Sequence, residues 1–428
     1  MTDHPQKIYA ELTTRCNLRC KMCVKYAEGS CIAEMDLPFS VFRKLAPSLA
    51  RTNTLILNGI GEPLLHPELA EIIGFARAVM PAEADIGFQS NGILLDRKKC
   101  RELIAAGLST VCLSLDDITD ITADQAGEHS ATTVSKAMAR LLEAQQNTTA
   151  ADIFRIGLEI VLTRENIDNL PGYITWAADR GADYIIATNL LLYNTSSEKL
   201  SLFNPNSSEA VELFEVYSKR AEALGVNLGN CLSTYLKFNK TQKDKIVAQL
   251  FEELQQEASK RDIRLHLESL LGYTTADADR VGKAFADGRS IAAKRGIELF
   301  LPTHQALPQR TCQFIEEQAV LIAASGAVMP CHFLWHTYSC RVLGEEVQVR
   351  ECAFGTIRQQ PLDIIWQHPE YIRFRREAAE YDYSSCWSCT QGPCANLIND
   401  NLLCANDCYG SRVPCGHCQW NLGGVRCL

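Results

Sequence analysis

Over roughly the first 195 residues, short apolar runs alternate with amphipathic stretches. Apolar runs of this length predict strands, and a 3.6-residue apolar period predicts helices. Strands are expected at residues 8–12, 54–57, 85–89, 110–115, 154–162 and 183–192, and helices at residues 67–79, 97–106, 133–144 and 170–180. Six strands, each followed by a helix or turn, predict an α/β fold with a parallel sheet and right-handed crossovers. A barrel-like partial (β/α)6 arrangement and an open doubly wound sheet both agree with this count.

The remaining pattern divides the chain further. Residues 196–300 contain long polar helices, such as 245–259, and two helix-then-strand units that end at 264–267 and 296–301. This stretch either extends the sheet or forms an inserted cap. Beyond Cys312 the periodicity weakens, with one expected strand at 319–324 and one helix at 361–379. We therefore expect a partial barrel at 1–200, a mixed α/β segment at 201–305 and a loop-rich, cysteine-dense domain at 306–428.

Composition restricts the class of protein. The chain has 428 residues, 46% of them hydrophobic and 22% charged, and a formal net charge of -9. This acidic balance argues against nucleic acid or an anionic membrane as the main partner. The first residues lack the basic start and apolar core of a signal peptide, and no apolar run reaches about 18 residues. We therefore expect a cytoplasmic protein, where clustered cysteines more often bind metal than form disulfides.

Of the 19 cysteines, three form a compact motif directly after the first expected strand. Cys16, Cys20 and Cys23 have the spacing C-x3-C-x2-C, with which one loop can wrap three thiolates around an iron–sulfur cluster. Three ligands for four irons leave one iron open, as a reactive site requires. Cys31 lies nearby, so a four-cysteine zinc knuckle is the structural alternative.

These residues resemble those of the radical S-adenosylmethionine (SAM) enzymes, in which C-x3-C-x2-C follows the first strand of a partial (β/α)6 barrel. The segment from Asn58 to Pro63 (NGIGEP) follows the second strand and looks like the family's GGEP motif, with Ile60 at the position of the first glycine. Gln89-Ser-Asn-Gly92 follows the third strand, and Ser114-Leu-Asp116 ends the fourth. All these polar groups fall at carboxyl ends of strands, where barrel enzymes assemble their active sites.

The resemblance implies a [4Fe–4S] cluster on the three cysteines, with SAM chelating the open iron. The loop at Gly59 and Gly61, together with the Glu62 carboxylate, would receive the methionine amino group of SAM. Other contacts to SAM would come from Met22 (near adenine), Asn91 (above the cluster), and Ser114 and Asp116 (ribose hydroxyls). Met22 stands where the family usually has an aromatic residue. As isolated features, Asn91 could belong to a simple turn and Ser114 could be an ordinary strand hydroxyl.

Twelve cysteines lie between residues 312 and 427. Cys312, Gly326 and Cys331 form C-x13-G-x4-C, which resembles the opening of the SPASM auxiliary-cluster domain found in some radical SAM enzymes. The resemblance implies two auxiliary clusters. Cys312, Cys331 and one later cysteine would hold the first, and Cys386, Cys389, Cys394 and a terminal cysteine would hold the second. The further candidate ligands are Cys408, Cys415, Cys418 and Cys427, while Cys340, Cys352 and Cys404 have no assigned role.

The chain is therefore expected to be a radical SAM/SPASM maturase that cleaves SAM to a 5′-deoxyadenosyl radical. Its substrate would be a peptide, a protein or a cofactor precursor, and its reductant a carrier such as ferredoxin or flavodoxin. The residues from Cys408 to Cys427 resemble maturases associated with tungsten-containing aldehyde oxidoreductases. The alternatives are a ribosomal-peptide maturase that makes crosslinks or epimerises residues, and a zinc-stapled binding protein built on C-x2-C pairs. No acid, base or hydrogen donor can be named from the sequence.

Overall fold

All six strands expected in the first 195 residues form, and they lie side by side in chain order. The computed structural model describes residues 2–27, 29–116, 118, 130–146, 154–271, 275–307, 312–342, 345–380, 413–418, 420–426 and 428. The parallel strands are β1 (Lys7–Ala10), β2 (Thr54–Ile56), β3 (Asp85–Ser90), β4 (Thr110–Ser114), β5 (Arg155–Leu162) and β6 (Tyr184–Asn189).

The strand order favours the barrel over the doubly wound sheet. Each crossover from β1 to β6 moves the chain one strand in the same direction. Right-handed crossovers that never reverse place their helices on one face of the sheet, whereas a doubly wound sheet reverses direction near its middle. The helices are α1 (Phe39–Phe42), α2 (Ala46–Leu49), α3 (Leu69–Val79), α4 (Arg97–Ala105), α5 (Ala131–Gln146), α6 (Leu170–Ala178), α7 (Ser208–Ala223), α8 (Cys231–Tyr235), α9 (Gln242–Lys260), α10 (Leu267–Leu271), α11 (Thr275–Arg295), α12 (Gln313–Glu316), α13 (Leu362–Trp366) and α14 (Pro369–Ala379).

Later parts of the chain extend both edges of this sheet. β7 (Glu298–Phe300) pairs with β6, and β8 (Ala319–Ile322) pairs with β1 on the side opposite β2. β9 (Val328–Met329) adds an antiparallel strand to β8, while β10 (Tyr338–Val342) and β11 (Glu345–Val349) form a separate hairpin. The cysteine-rich segment therefore contributes a strand, β8, to the barrel sheet.

The middle segment both extends the sheet and forms a helical cluster. Helices α7, α8 and α9 pack around a core of their own, which includes Leu213, Leu250 and Leu254. The strand expected at 264–267 is wrong, because the Asn206 side chain accepts a hydrogen bond from the His266 backbone N–H and donates one to its carbonyl. Those are the backbone groups that a strand would use for pairing.

The helix expected at 361–379 divides into α13 and α14. Pro369 opens α14, and the residue before a proline is disfavoured in helical conformation, so α13 ends before it. In the part of the chain that the structure describes, no helix is both long enough and apolar enough to cross a membrane.

Close packing inside the barrel gives a stability prediction. A Cβ at Gly157 in β5 would lie 2.0 Å from the Tyr184 ring on β6, whereas a Cβ at Gly282 in α11 would meet no atom within 4 Å. We expect Gly157→Ala to destabilise the protein by about 1–3 kcal/mol through overpacking. Gly282→Ala, the matched control, should stabilise it by roughly 0.5–1 kcal/mol through helix propensity. Denaturant unfolding of both variants measures the difference, and equal midpoints would contradict the packing argument.

Candidate active site

The cysteine loop (residues 13–23) leaves the carboxyl end of β1. Cys16, Cys20 and Cys23 are all half-buried, and the Cys23 backbone N–H donates to the Cys20 carbonyl at 3.0 Å. Burial raises the pKa of the Cys16 and Cys23 thiols, and the nearby charge of Cys16 adds to the rise at Cys23. Partly buried thiols that interact in this way fit a metal cluster, since binding would replace their protons.

The NGIGEP loop (residues 58–63) packs directly against the cysteine loop. A Cβ at Gly61 would lie 2.3 Å from the Thr13 carbonyl oxygen and 2.5 Å from that of Arg15. The backbone N–H of Glu62 donates to the same Arg15 carbonyl at 2.8 Å. Only glycine permits this approach of two backbones, so the two loops form a single unit.

Glu62 joins this unit to the end of β3. Its Oε1 accepts hydrogen bonds from the Leu64 N–H (3.1 Å) and the Ser90 hydroxyl (2.8 Å), and its Oε2 accepts one from the Asn91 N–H (2.9 Å). The side chain is buried, and burial raises its pKa against the opposing effect of these donors. The negative charge of Glu62 also raises the pKa of Cys16. Glu62, which was expected to receive the methionine amino group of SAM, thus accepts hydrogen bonds from three donors of its own chain.

The other residues expected to contact SAM differ in their exposure and in their hydrogen bonds. The Asn91 side chain donates to the side-chain oxygen of Asn17 in the cysteine loop at 2.9 Å, so β3 is tied to that loop. Met22 is half-buried, as is Ser114 near the end of β4, whereas Asp116 is exposed. Strands β3 and β4 are direct neighbours, so all these residues lie along the carboxyl ends of four consecutive strands.

The inner face of the barrel carries polar groups without partners. Alternate residues of β5, such as Leu158 and Ile160, pack in the core against the helices, so Glu159 between them faces inward. Among the described residues, Glu159 Oε2, Thr188 Oγ1 and Asn58 Oδ1 are buried and have no hydrogen-bond partner. Burial raises the pKa of Glu159 to about 7. Glu159 is paired in register with Ser114, an expected SAM contact, so these groups lie beside the expected ligand site.

A second group of thiols surrounds a cavity of about 170 Å³ in the cysteine-rich segment. Cys312, Cys331, Cys415 and Cys418 all line this four-cysteine cavity, together with apolar side chains such as Phe314. Burial, followed by the charges of Cys418, Cys312 and Cys415, raises the pKa of Cys331 well above its usual value. Four thiols around one cavity, with Cys331 interacting electrostatically with the other three, form a donor set that suits a cluster.

The described residues include only some of the expected cluster ligands. Five of them lie outside the described residues: Cys386, Cys389, Cys394, Cys408 and Cys427. Two of the cysteines without an assigned role are described, and burial raises the pKa of Cys340 to about 12 and that of Cys352 to about 11. Burial is the sole cause of these two shifts, whereas neighbouring thiols add to the rise at Cys331, and this difference is typical of packing residues.

Comparison with known families gives a match over each of the two cysteine-containing segments. The family model described as the radical SAM superfamily matches residues 10–171, from the cysteine loop through β5. Residues 10–171 therefore form a radical SAM domain. The model of SPASM, an iron–sulfur cluster-binding domain, matches residues 312–390, which include Cys312 and Cys331. The expected α/β partial barrel, the cofactor class and the enzymatic nature of this radical SAM/SPASM protein are thereby confirmed.

Three relatives show how far the likeness extends. The tungsten-containing aldehyde ferredoxin oxidoreductase cofactor-modifying protein of Pyrococcus furiosus is 24% identical over 98% of this chain and 96% of its own length. The PqqA peptide cyclase of Gluconobacter oxydans is 27% identical over 49% of this chain and 56% of its own length. Crystalline SuiB of Streptococcus suis bound to S-adenosylmethionine has a TM-score of 0.52 at 13% identity, covering 93% of this chain and 75% of SuiB. This last likeness shows the fold alone.

Sequence reasoning missed the buried polar residues of this radical SAM barrel. Glu11 and Glu159 each interrupt an apolar run at a position that alternation places on the inner face. An acidic residue at such a position is a signal that period-2 analysis could have used. The resemblance also implied one later cysteine beside Cys312 and Cys331, whereas two, Cys415 and Cys418, line the same cavity in the structure.

The raised pKa of Glu159 gives a pH prediction. A carboxyl whose pKa rises from 4.5 to about 7 on folding lowers stability progressively as pH increases from 4.5 through 7. We expect Glu159→Gln to raise the thermal midpoint relative to the natural protein, with a difference that grows between about pH 5 and pH 8. Glu71→Gln, at an exposed site on α3, is the control and should show no such trend. A pH-independent offset in Glu159→Gln would contradict the prediction.

Proposed function

We propose that this enzyme binds a [4Fe–4S] cluster through Cys16, Cys20 and Cys23, and SAM through the adjoining strand ends. The observation that carries this proposal is the direct contact between the cysteine loop and the NGIGEP loop at Gly61. When bound, the cluster and SAM together supply one-electron reductive cleavage of the sulfonium and, from it, hydrogen abstraction. The protein supplies orientation and excludes water.

We assign separate roles to the residues around this site. Gly59 and Gly61 let the loop backbone approach the methionine part of SAM, while Glu62 fixes that loop and orients its carbonyl and N–H groups. Ser114 and Asp116 at the end of β4 would bind hydroxyl groups of the ribose. Met22 would pack near the adenine, and Asn91 holds the cysteine loop through Asn17.

We further propose that the four-cysteine cavity holds one auxiliary cluster. Its two C-terminal ligands come from Cys415-x2-Cys418, and its other two from Cys312 and Cys331. The remaining candidates for a second auxiliary cluster are Cys386, Cys389, Cys394, Cys408 and Cys427. We propose that the chain is organised as three segments: the barrel at 1–200, the mixed segment at 201–305 and the cluster domain at 306–428.

The proposed substrate is the cofactor of a tungsten-containing oxidoreductase. The likeness to the cofactor-modifying protein of P. furiosus covers nearly the full length of both chains. Peptide modification is the second candidate, because the PqqA peptide cyclase resembles this chain over about half of its length. A low-potential carrier such as ferredoxin or flavodoxin would supply electrons. The described cysteines form no disulfide, which favours a reducing compartment such as the cytoplasm.

Anaerobic reconstitution tests the SAM site. With dithionite and SAM, the natural protein should release 5′-deoxyadenosine, and Cys20→Ala should reduce that yield to background because the cluster loses a ligand. Cys31→Ala is the matched control, since Cys31 is an exposed cysteine close to the same loop and should leave the yield unchanged. A Cys20→Ala protein that still released 5′-deoxyadenosine would refute the assignment.

Metal analysis tests the auxiliary site. The double variant Cys415→Ala/Cys418→Ala should lose about four irons per chain, the content of one [4Fe–4S] cluster. Cys231→Ala, a buried cysteine in the core of the middle helices, should lose none. Stoichiometric zinc in place of iron, or unchanged iron in the double variant, would exclude this ligand set.

The substrate is tested in a host that makes a tungsten-containing aldehyde oxidoreductase. Deleting the gene for this protein should abolish that enzyme's activity without removing its polypeptide, and the natural gene should restore it. A gene encoding Cys20→Ala should fail to restore activity. Full activity in the deletion strain, together with a short modified peptide missing from its extracts, would favour the peptide alternative.

A further inference from the structure

Glu11 is a fully buried carboxylate at the carboxyl end of β1. Its Oε1 accepts a hydrogen bond from the backbone N–H of Ile60 at 3.0 Å, and its Oε2 accepts one from the N–H of Ala324 at 3.1 Å. The Nε2 of His336 lies 3.1 Å from Oε1 and 3.0 Å from Oε2. Because a buried carboxylate is stable only when its oxygens are hydrogen-bonded, each of these donors is needed.

The three donors come from different parts of the chain. Ile60 belongs to the NGIGEP loop of the barrel, whereas Ala324 and His336 belong to the SPASM segment. Ala324 follows β8, and His336 follows the cavity ligand Cys331 by five residues. One side chain therefore connects the expected SAM loop to the segment that lines the four-cysteine cavity.

The fit around this carboxylate is tight. A Cβ at Gly59 would lie 2.3 Å from Cγ of Glu11, so the loop backbone passes directly over the Glu11 side chain. The His336 side chain is only 13% exposed and its ring packs against Trp335. Glu11 thus holds the Ile60 N–H in place, and His336 in turn holds the Glu11 carboxylate in place.

We infer that Glu11 and His336 are positioning residues that hold the NGIGEP loop in its SAM-receiving conformation. Removal of the His336 donor would leave each Glu11 oxygen with one backbone N–H, on a side chain that is fully buried. Glu11 would then shift towards other donors and release Ile60. This inference rests on the proposed SAM site, but the loop conformation can be measured without SAM.

The test compares His336→Ala, His336→Gln and the control His368→Ala in anaerobically purified holoprotein. Gln can return one N–H donor to Glu11, whereas His368 lies at the start of α14 and only caps that helix. Hydrogen exchange of the peptide covering residues 57–65, measured without SAM, reports the Ile60 amide. Equilibrium dialysis of SAM reports binding, and iron content is measured in each protein.

We expect His336→Ala to speed exchange in this peptide and to weaken SAM binding, each about tenfold, as for loss of one hydrogen bond to a charged group. His336→Gln should recover most of both effects, and His368→Ala should match the natural protein. Natural-type exchange in His336→Ala, or equal defects in the Ala and Gln variants, would overturn the inference. Loss of iron by both His336 variants would also overturn it, because His336 would then serve the fold of the cysteine-rich segment. Failure of the natural protein to bind SAM, with the expected exchange pattern intact, would instead count against the proposed function.

Discussion

The need to hydrogen-bond buried carboxylates determines how this end of the barrel is built. Glu11 and Glu62 are both buried, and together they accept bonds from six donor residues on four segments of the chain. An ionised carboxylate without such donors costs several kcal/mol in an apolar site. Each donor therefore has a required position, and the loops that supply them are placed accordingly.

The cysteines differ from these carboxylates, because the protonation state of a thiol depends on whether metal is bound. Burial raises the pKa of Cys16 and Cys23 at one site and of Cys312 and Cys331 at the other, so without metal these thiols carry protons. A bound cluster takes thiolates and releases those protons, which couples metal loading to pH and to the packing of each loop. The barrel loop can be shaped in advance by carboxylate hydrogen bonds. The four-cysteine cavity has apolar walls, so its order depends more directly on the cluster.

The sequence predicted the elements better than their long-range contacts. Alternation located the six strands, and strand-end motifs located the loops, because both are local properties of the chain. The expected strand at 264–267 failed because Asn206, 60 residues earlier, takes the backbone groups of His266. The link from Glu11 to His336 spans 325 residues and has no local pattern. The same holds for the approach of Cys415 and Cys418 to Cys312 and Cys331. The family resemblance implied only one later cysteine at that site.

Glu159 differs from Glu11 and Glu62 in a way that bears on where ligands bind. All three are acidic residues at the sheet, but among the described residues the Glu159 Oε2 has no donor. The same lack is found at Thr188 and Asn58, so the unsatisfied groups are on β6 and at the end of β2 as well as on β5. A protein that provides full sets of donors for two buried carboxylates would be expected to do so for the third, unless another molecule supplies the donor. The inner face at Glu159 is therefore where the described residues leave buried polar atoms without partners, whereas both oxygens of Glu11 and of Glu62 are hydrogen-bonded.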